Sequence, residues 1–199
     1  MVITIEDRPS ALLELLWIRE AYDLRPDGDD LPPLLSDTPM AVDDAGFSAG
    51  TRDEWAGAWA RIWDAAVAHA GRDSDPRSFD ALGNTANGST ERADLLRRIV
   101  GPQWRDDFGD SAFGHDSYRG WSQRGMDALL AAMPRRGKEE PERRDLAALI
   151  PAWRAGLTRV VTIPCAGDFT RRVGANALLM TDATRADSES YRRALSTFT

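Results

Sequence analysis

Hydrophobic residues fall into two rhythms along the chain, one with the period of a helix and one in short β-branched runs. The first apolar block, Leu12, Leu13, Leu15, Leu16, Trp17 and Ile18, follows Pro9-Ser10. It predicts a helix to about Tyr22 that is apolar nearly all round and so lies deep in the core. Trp55, Trp59, Ile62, Trp63 and Ala66 form one stripe at i, i+4, i+7, i+8 and i+11. Thr51 followed three residues later by Glu54 has the pattern of a capping box, so this helix is expected from Thr51 to Ala70, with Gly71 past its end. Three weaker patterns follow. Thr90 to Val100 turns Leu95, Leu96, Ile99 and Val100 inward. Asp116 caps a helix to Met133 with Met126, Leu129, Leu130 and Met133 inward. Leu146, Leu149, Ile150 and Trp153 repeat the spacing, with Pro151 opening a new turn.

The intervening segments are turn-rich. Leu24 to Gly50 reads as a long loop broken by Pro26, Pro32, Pro33 and Pro39, with turns at Asp27-Gly28 and Ala45-Gly46. Arg72 to Gly88 holds Asp75-Pro76, Asn87-Gly88 and a short helix around Phe79 to Leu82. Gln103 to His115 is irregular, and Pro134 to Arg144 is a charged connector.

From Leu157 the rhythm changes. Thr158 to Ile163, Phe169 to Val173 and Ala177 to Thr181 read as strands joined by turns at Ala166-Gly167-Asp168 and Gly174-Ala175-Asn176. Short turns favour antiparallel neighbours, which predicts a meander. A helix from Asp187 to Leu195 would cover one face, and Val2 to Ile5 is a candidate further strand at the edge. The expected fold class is therefore α+β: a helix-rich part over residues 8–156 and a small C-terminal antiparallel three-stranded meander with its helix over 157–199. All of 1–199 forms one domain, since three strands alone bury too little to stand by themselves.

Composition narrows the function classes. The chain has 199 residues, 42% hydrophobic and 29% charged, enough for a core without disulfides or metals. Its net charge of −7 is uneven, with ten Arg against nineteen acids in residues 1–100. The excess is greatest from Asp23 to Asp53, where eight Asp face only Arg25 and Arg52. That balance argues against nucleic acid as a partner, because phosphate-backbone binding needs a basic stripe. The bases are Arg apart from Lys138, a bias that resembles codon usage and carries no functional weight. Leu12 to Ile18, interrupted by Glu14, is far short of a bilayer span, so no membrane is expected as a partner. Met1 to Asp7 lacks the basic-then-apolar pattern of a secretory signal, so a cytoplasmic location is expected.

Few groups suit catalysis. Cys165 is alone, which rules out an intrachain disulfide and multi-cysteine zinc sites, and a buried structural thiol is the expectation. The two histidines, His69 and His115, are far apart, and HExxH, GxSxG, GxxxxGK[ST] and GxGxxG are absent. Counting a calcium loop from Asp23 places Gly28 correctly, but Arg25 and Leu34 stand where ligands are needed. Asp106, Asp107 and Asp110 read as solvated carboxylates. No metal and no cofactor is expected.

His115-Asp116-Ser117-Tyr118-Arg119-Gly120-Trp121 is the densest polar and aromatic cluster, at a loop-to-helix junction where free backbone N–H groups can hold an anion. There His115 is the candidate acid–base group, and Asp116, Arg119 and Arg124 are the candidate ligand-binding residues. Tyr118-Arg119-Gly120 resembles the tripeptide around the first-motif arginine of mono-ADP-ribosyltransferases, which also carry a serine-rich strand and a Glu-x-Glu. The chain's only Glu-x-Glu, Glu140-Pro141-Glu142, stands in the charged connector, so the resemblance ends at three residues. Trp55-Ala56-Gly57 is similar to the Trp-x-Gly of small secreted helical-hairpin proteins. Those place it in a turn, whereas here it falls inside a capped helix. Two functional readings remain. The first is a non-catalytic interaction or accessory protein, bound to another protein or to a second copy of itself through the acidic loop 24–50 or the Trp-bearing helix. The second is an enzyme that binds a small anion at the junction 113–124.

Overall fold

The computed structural model describes residues 1–43, 47–72, 76–132 and 140–198. Strand β1 (Thr4–Asp7) leads into α1 (Ser10–Ala21) and, after the long loop, α2 (Ala49–Ala70). Then come α3 (Pro76–Asn84), α4 (Thr90–Val100), α5 (Trp104–Phe108), a 3-10 turn at Ser111–Gly114, and α6 (Asp116–Ala132). The chain ends with α7 (Pro141–Arg144), α8 (Leu146–Arg154), β2 (Arg159–Ile163), β3 (Thr170–Val173), β4 (Ala177–Thr181), α9 (Asp182–Ala186) and α10 (Ser188–Ser196). The expected turns at Ala45-Gly46 and Asp75-Pro76, the inward Met133 and the start of the charged connector lie outside the described residues.

The fold is helix-rich α+β, but its sheet is mixed and not a meander. Strand order is β1-β2-β4-β3, with β1, β2 and β4 parallel and only β3 antiparallel, against β4. The reason lies at the exit of β2. The Ser36 N–H donates to the Pro164 carbonyl at 2.9 Å and the Ala166 N–H donates to the Leu34 carbonyl at 2.8 Å. Residues 164–166 thus pair with the long loop and do not turn back on β2. The chain travels on to β3, two strand positions away. The turn at Gly174, with φ +57, then sends β4 back into the gap.

Strands β2 and β4 are buried along all five residues each, as parallel strands covered on both faces must be. Val161, Ile163 and Leu179 face α1 and α2, while Val160, Leu178 and Met180 face α8 and α10 with Tyr191, Leu195 and Phe198. The sheet is therefore the middle of three layers and not a floor under one terminal helix. In α1, Leu12, Leu15, Leu16, Trp17 and Ile18 are fully buried, as their pattern predicts. Trp59 and Trp63 stack with ring centroids 5.2 Å apart and are at most 1% exposed. Trp59 and Trp63 are core, each such ring contributing roughly 3 kcal/mol by burial, while Trp55 is half-buried against Trp104 and Phe108. The Trp59 indole N–H donates to the Leu15 carbonyl at 2.6 Å, fixing α2 on α1.

Elsewhere the local pattern misplaces details. Ser48, one turn before Thr51, caps α2 by accepting the Thr51 N–H. Of the four apolar residues expected inward on α4 only Leu95 is buried, and Leu96 and Val100 are exposed. Met126 and Leu130 on α6 are likewise exposed, because that helix packs through its first half, at Ser117 and Trp121. Asp116 is the first residue of α6 and not its cap. Pro151 lies inside α8, on its exposed side, where the missing N–H leaves no buried acceptor unmet.

Charged side chains fasten α7 and α8 to the C-terminal helices. Arg185 donates two bonds of 2.8 Å to Glu142, and the Tyr191 hydroxyl donates to the same carboxylate at 3.2 Å. Burial alone would raise the Glu142 carboxyl, but the Arg185 guanidinium outweighs it and holds the group below the ordinary carboxylate range. A carboxylate depressed in the folded state adds stability above its unfolded pKa, about 4.3, and that stability is lost as pH falls through the folded value.

Two measurements check this architecture. Glu142→Gln should cost about 2 kcal/mol near neutral pH, and the cost should shrink as both proteins are acidified below about pH 4. Denaturation curves offset equally at every pH would reject the role given to the ion pair. At Gly71, a Cβ would meet Val173 Cγ1 at 2.5 Å where α2 ends against β3. Gly71→Ala should therefore destabilise by about 1–3 kcal/mol through overpacking, and adding Val173→Ala should recover part of that loss. A melting temperature at or above wild type for the single variant would refute the close approach.

Candidate functional site

The acidic loop is pinned at its base by the last turn of α1. Arg19, 5% exposed, donates to the carbonyls of Pro32 at 2.7 Å and Pro33 at 2.6 Å, while Glu20 accepts the Leu35 N–H. Arg19 also lies over the Trp59 ring. A guanidinium is suited to this because its fork satisfies two carbonyls at once. Further along, the Val42 N–H donates to the Ala21 carbonyl at 2.8 Å. Leu24, Pro32, Leu35 and Pro39 are buried, whereas Leu34 and Met40 are 63% and 70% exposed and Asp27, Asp29 and Asp30 are exposed too.

The loop and the junction 113–124, separate in the sequence, form one face. The Ser117 hydroxyl donates to the Met40 carbonyl, and the Trp121 indole donates to the Asp37 carbonyl at 2.9 Å. Arg124 donates to both oxygens of the Asp37 carboxylate, at 3.0 and 3.2 Å. Arg119 turns back on the Gly114 carbonyl and on Asp116. His115 is half-buried, its ring 6.3 Å from that of Tyr22, and its carbonyl accepts the first helical N–H groups of α6. Of the four candidate residues, Asp116 and Arg119 pair with each other and Arg124 pairs with the loop.

Beneath this face sits a charged cluster that local reading could not assemble. Glu14 on α1, 8% exposed, receives Arg105 at 2.9 Å and the Tyr118 hydroxyl at 3.3 Å. Arg105 lies 4.1 Å over the Phe113 ring. Burial, reinforced by the Glu14 charge, pushes the Tyr118 phenol up to about 12, so it stays a donor at neutral pH. The bond to Glu14 in turn raises the Arg105 guanidinium further above its ordinary value. Glu14 and Tyr118 are 104 residues apart, and their only sequence signal is an acid inside an otherwise apolar helix.

A cleft of about 470 Å³ opens at the other end of α1, between its first turn and the ends of α2 and α4. It contains His69 and not His115. The His69 Nε2 lies 3.1 Å from the Ile99 carbonyl and donates to it, since a carbonyl can only accept. The ring packs against Gly101, whose φ of +81 and lack of a Cβ admit it. Among the described residues, no group of three or more His, Cys, Asp or Glu side chains is placed to hold a metal ion. Asp106 closes a capping box at the start of α5, Asp107 pairs with Arg61 and Asp110 with Arg105. Among the described residues, no helix is long and apolar enough to cross a membrane.

Compared with protein-family models, with curated proteins and with solved structures, the chain matches none.

Cys165 lies at the β2 exit, 1% exposed, and burial pushes its thiol up to about 12. Since the thiolate is the reactive form, a disulfide reagent at pH 8 should modify folded protein at least about a hundredfold more slowly than denatured protein. Comparable rates in the two states would contradict the packing of the loop over β2.

Proposed function

We propose that the chain is a non-catalytic interaction protein that docks a basic protein partner on the face built from loop residues 24–43 and the start of α6. The observation that carries this reading is the combination of exposure and restraint in the loop. Leu34 and Met40 stand exposed on a loop that also carries the exposed Asp27, Asp29 and Asp30, while the backbone beneath them is held by Arg19, Ser117 and Trp121. The stretch from Pro32 to Val42 has lost most of its conformational entropy before any partner arrives, which lowers the cost of association. The loop's carboxylates speed the encounter with a positively charged partner. The enzyme reading, with His115 as acid–base group and Arg119 and Arg124 on an anionic substrate, is less well supported, because Asp116 and Asp37 already engage those guanidinium groups.

The test compares wild type with an Asp27→Asn, Asp29→Asn, Asp30→Asn, Leu34→Ser variant, both immobilised and exposed to the same extract. A stoichiometric basic protein should be retained by wild type, released by salt, and retained at least about tenfold less by the variant, a difference of about 1.4 kcal/mol. Equal retention by the two, or no stoichiometric partner on wild type, would reject the reading.

A further inference from the structure

We infer that the cleft at the start of α1 is a binding site for a phosphate monoester carrying an aromatic or apolar body. Its volume, about 470 Å³, falls in the range of small-molecule pockets. Its charge is opposite to that of the chain. Among the described residues, Arg72, Arg98 and Arg159 line it against a single carboxylate, Glu6, in a protein of net charge −7. Glu6 is paired with Arg159 across the β1–β2 edge. Arg72 and Arg98 meet no carboxylate among the described residues; the one bond Arg98 makes there is a 3.5 Å contact to the Asp94 carbonyl. The described lining thus carries a net charge of about +2 from its three arginines and Glu6, which a phosphate monoester of charge about −2 neutralises and a carboxylate does not.

Backbone donors point the same way. The first turn of the twelve-residue helix α1 enters the cleft. Pro9 at its N-cap supplies no side-chain acceptor, and no acid lies in that turn. Its free N–H groups and the positive end of the helix dipole add to the arginines. Part of the lining is apolar. Phe79 and Val100 line the cleft while 54% and 39% exposed, apolar surface that a ligand seated there would cover. An aromatic or alkyl group attached to the phosphate would do so.

Calorimetric titration of the full chain with phenyl phosphate, inorganic phosphate and benzoate tests the assignment. Phenyl phosphate should bind saturably and more tightly than either of the others. The double variant Arg72→Gln, Arg98→Gln should weaken it at least about tenfold, the loss expected for charge-assisted bonds to phosphate. Phe79→Ser should weaken phenyl phosphate and leave inorganic phosphate unchanged. All three positions are exposed, so the variants should melt with wild type; were the double variant unfolded, Arg98→Gln alone gives the same reading. No saturable heat with phenyl phosphate, or binding indifferent to both arginines, overturns the site. Benzoate binding more tightly than phenyl phosphate overturns the phosphate assignment. The loop variant above should bind phenyl phosphate like wild type, which separates this site from the docking face.

Discussion

Two strands with neighbours on both edges and helices on both faces set the terms for the rest of the molecule. β2 and β4 are buried along their length, so every backbone N–H and C=O they carry must be met by an adjoining strand. Their side chains require apolar cover on both sides. β1 and β3 meet the first demand, α1 with α2 and α8 with α10 the second. The acidic loop inherits its position from the same constraint, since it supplies the pairing that β2 needs immediately past its last residue.

The helical layers were legible where burial is continuous. α1 and α2 bury the residues their periodicity selects, save Leu13 and Trp55, which are half-buried, and Asp187 caps α10 as an Asp before a helical run should. The three C-terminal strand positions were legible too, whereas the N-terminal strand expected at Val2 to Ile5 lies two residues later, at Thr4–Asp7. Strand pairing was not legible. A turn sequence such as Ala166-Gly167-Asp168 marks where the chain changes direction, but which neighbour it meets depends on segments far away. Here residues Leu34 to Ser36 compete successfully for the β2 exit. The apolar stripes of α4 and α6 misled for the opposite reason: amphipathicity was present, but few described elements pack against it.

The face that joins the loop to the start of α6 was half legible. The polar cluster at His115 to Trp121 and the acidic loop each stand out in the sequence, yet nothing local joins them. Arg124 and Asp37 are 87 residues apart, and a carboxylate in a Pro-rich loop gives no hint of its cation. The arginine bias also has a structural use that composition hides. Arg19 fastens a loop through its carbonyls, and Arg105 satisfies a carboxylate sunk in an apolar helix. In both places a lysine would lack the fork that the geometry uses.

The restraints on the loop are unevenly spaced. From Pro32 to Val42 a tether to the body recurs every few residues, at Pro32, Pro33, Leu35, Ser36, Asp37, Met40 and Val42. A protease must draw a stretch of several residues into its own active site in extended form. Around Leu34 and Met40 that would mean unfastening α1, β2 and α6 together. Arg25 to Leu31 carries no such bond to the body among the described residues, so proteolytic nicking is directed there, where a cut leaves every anchor in place.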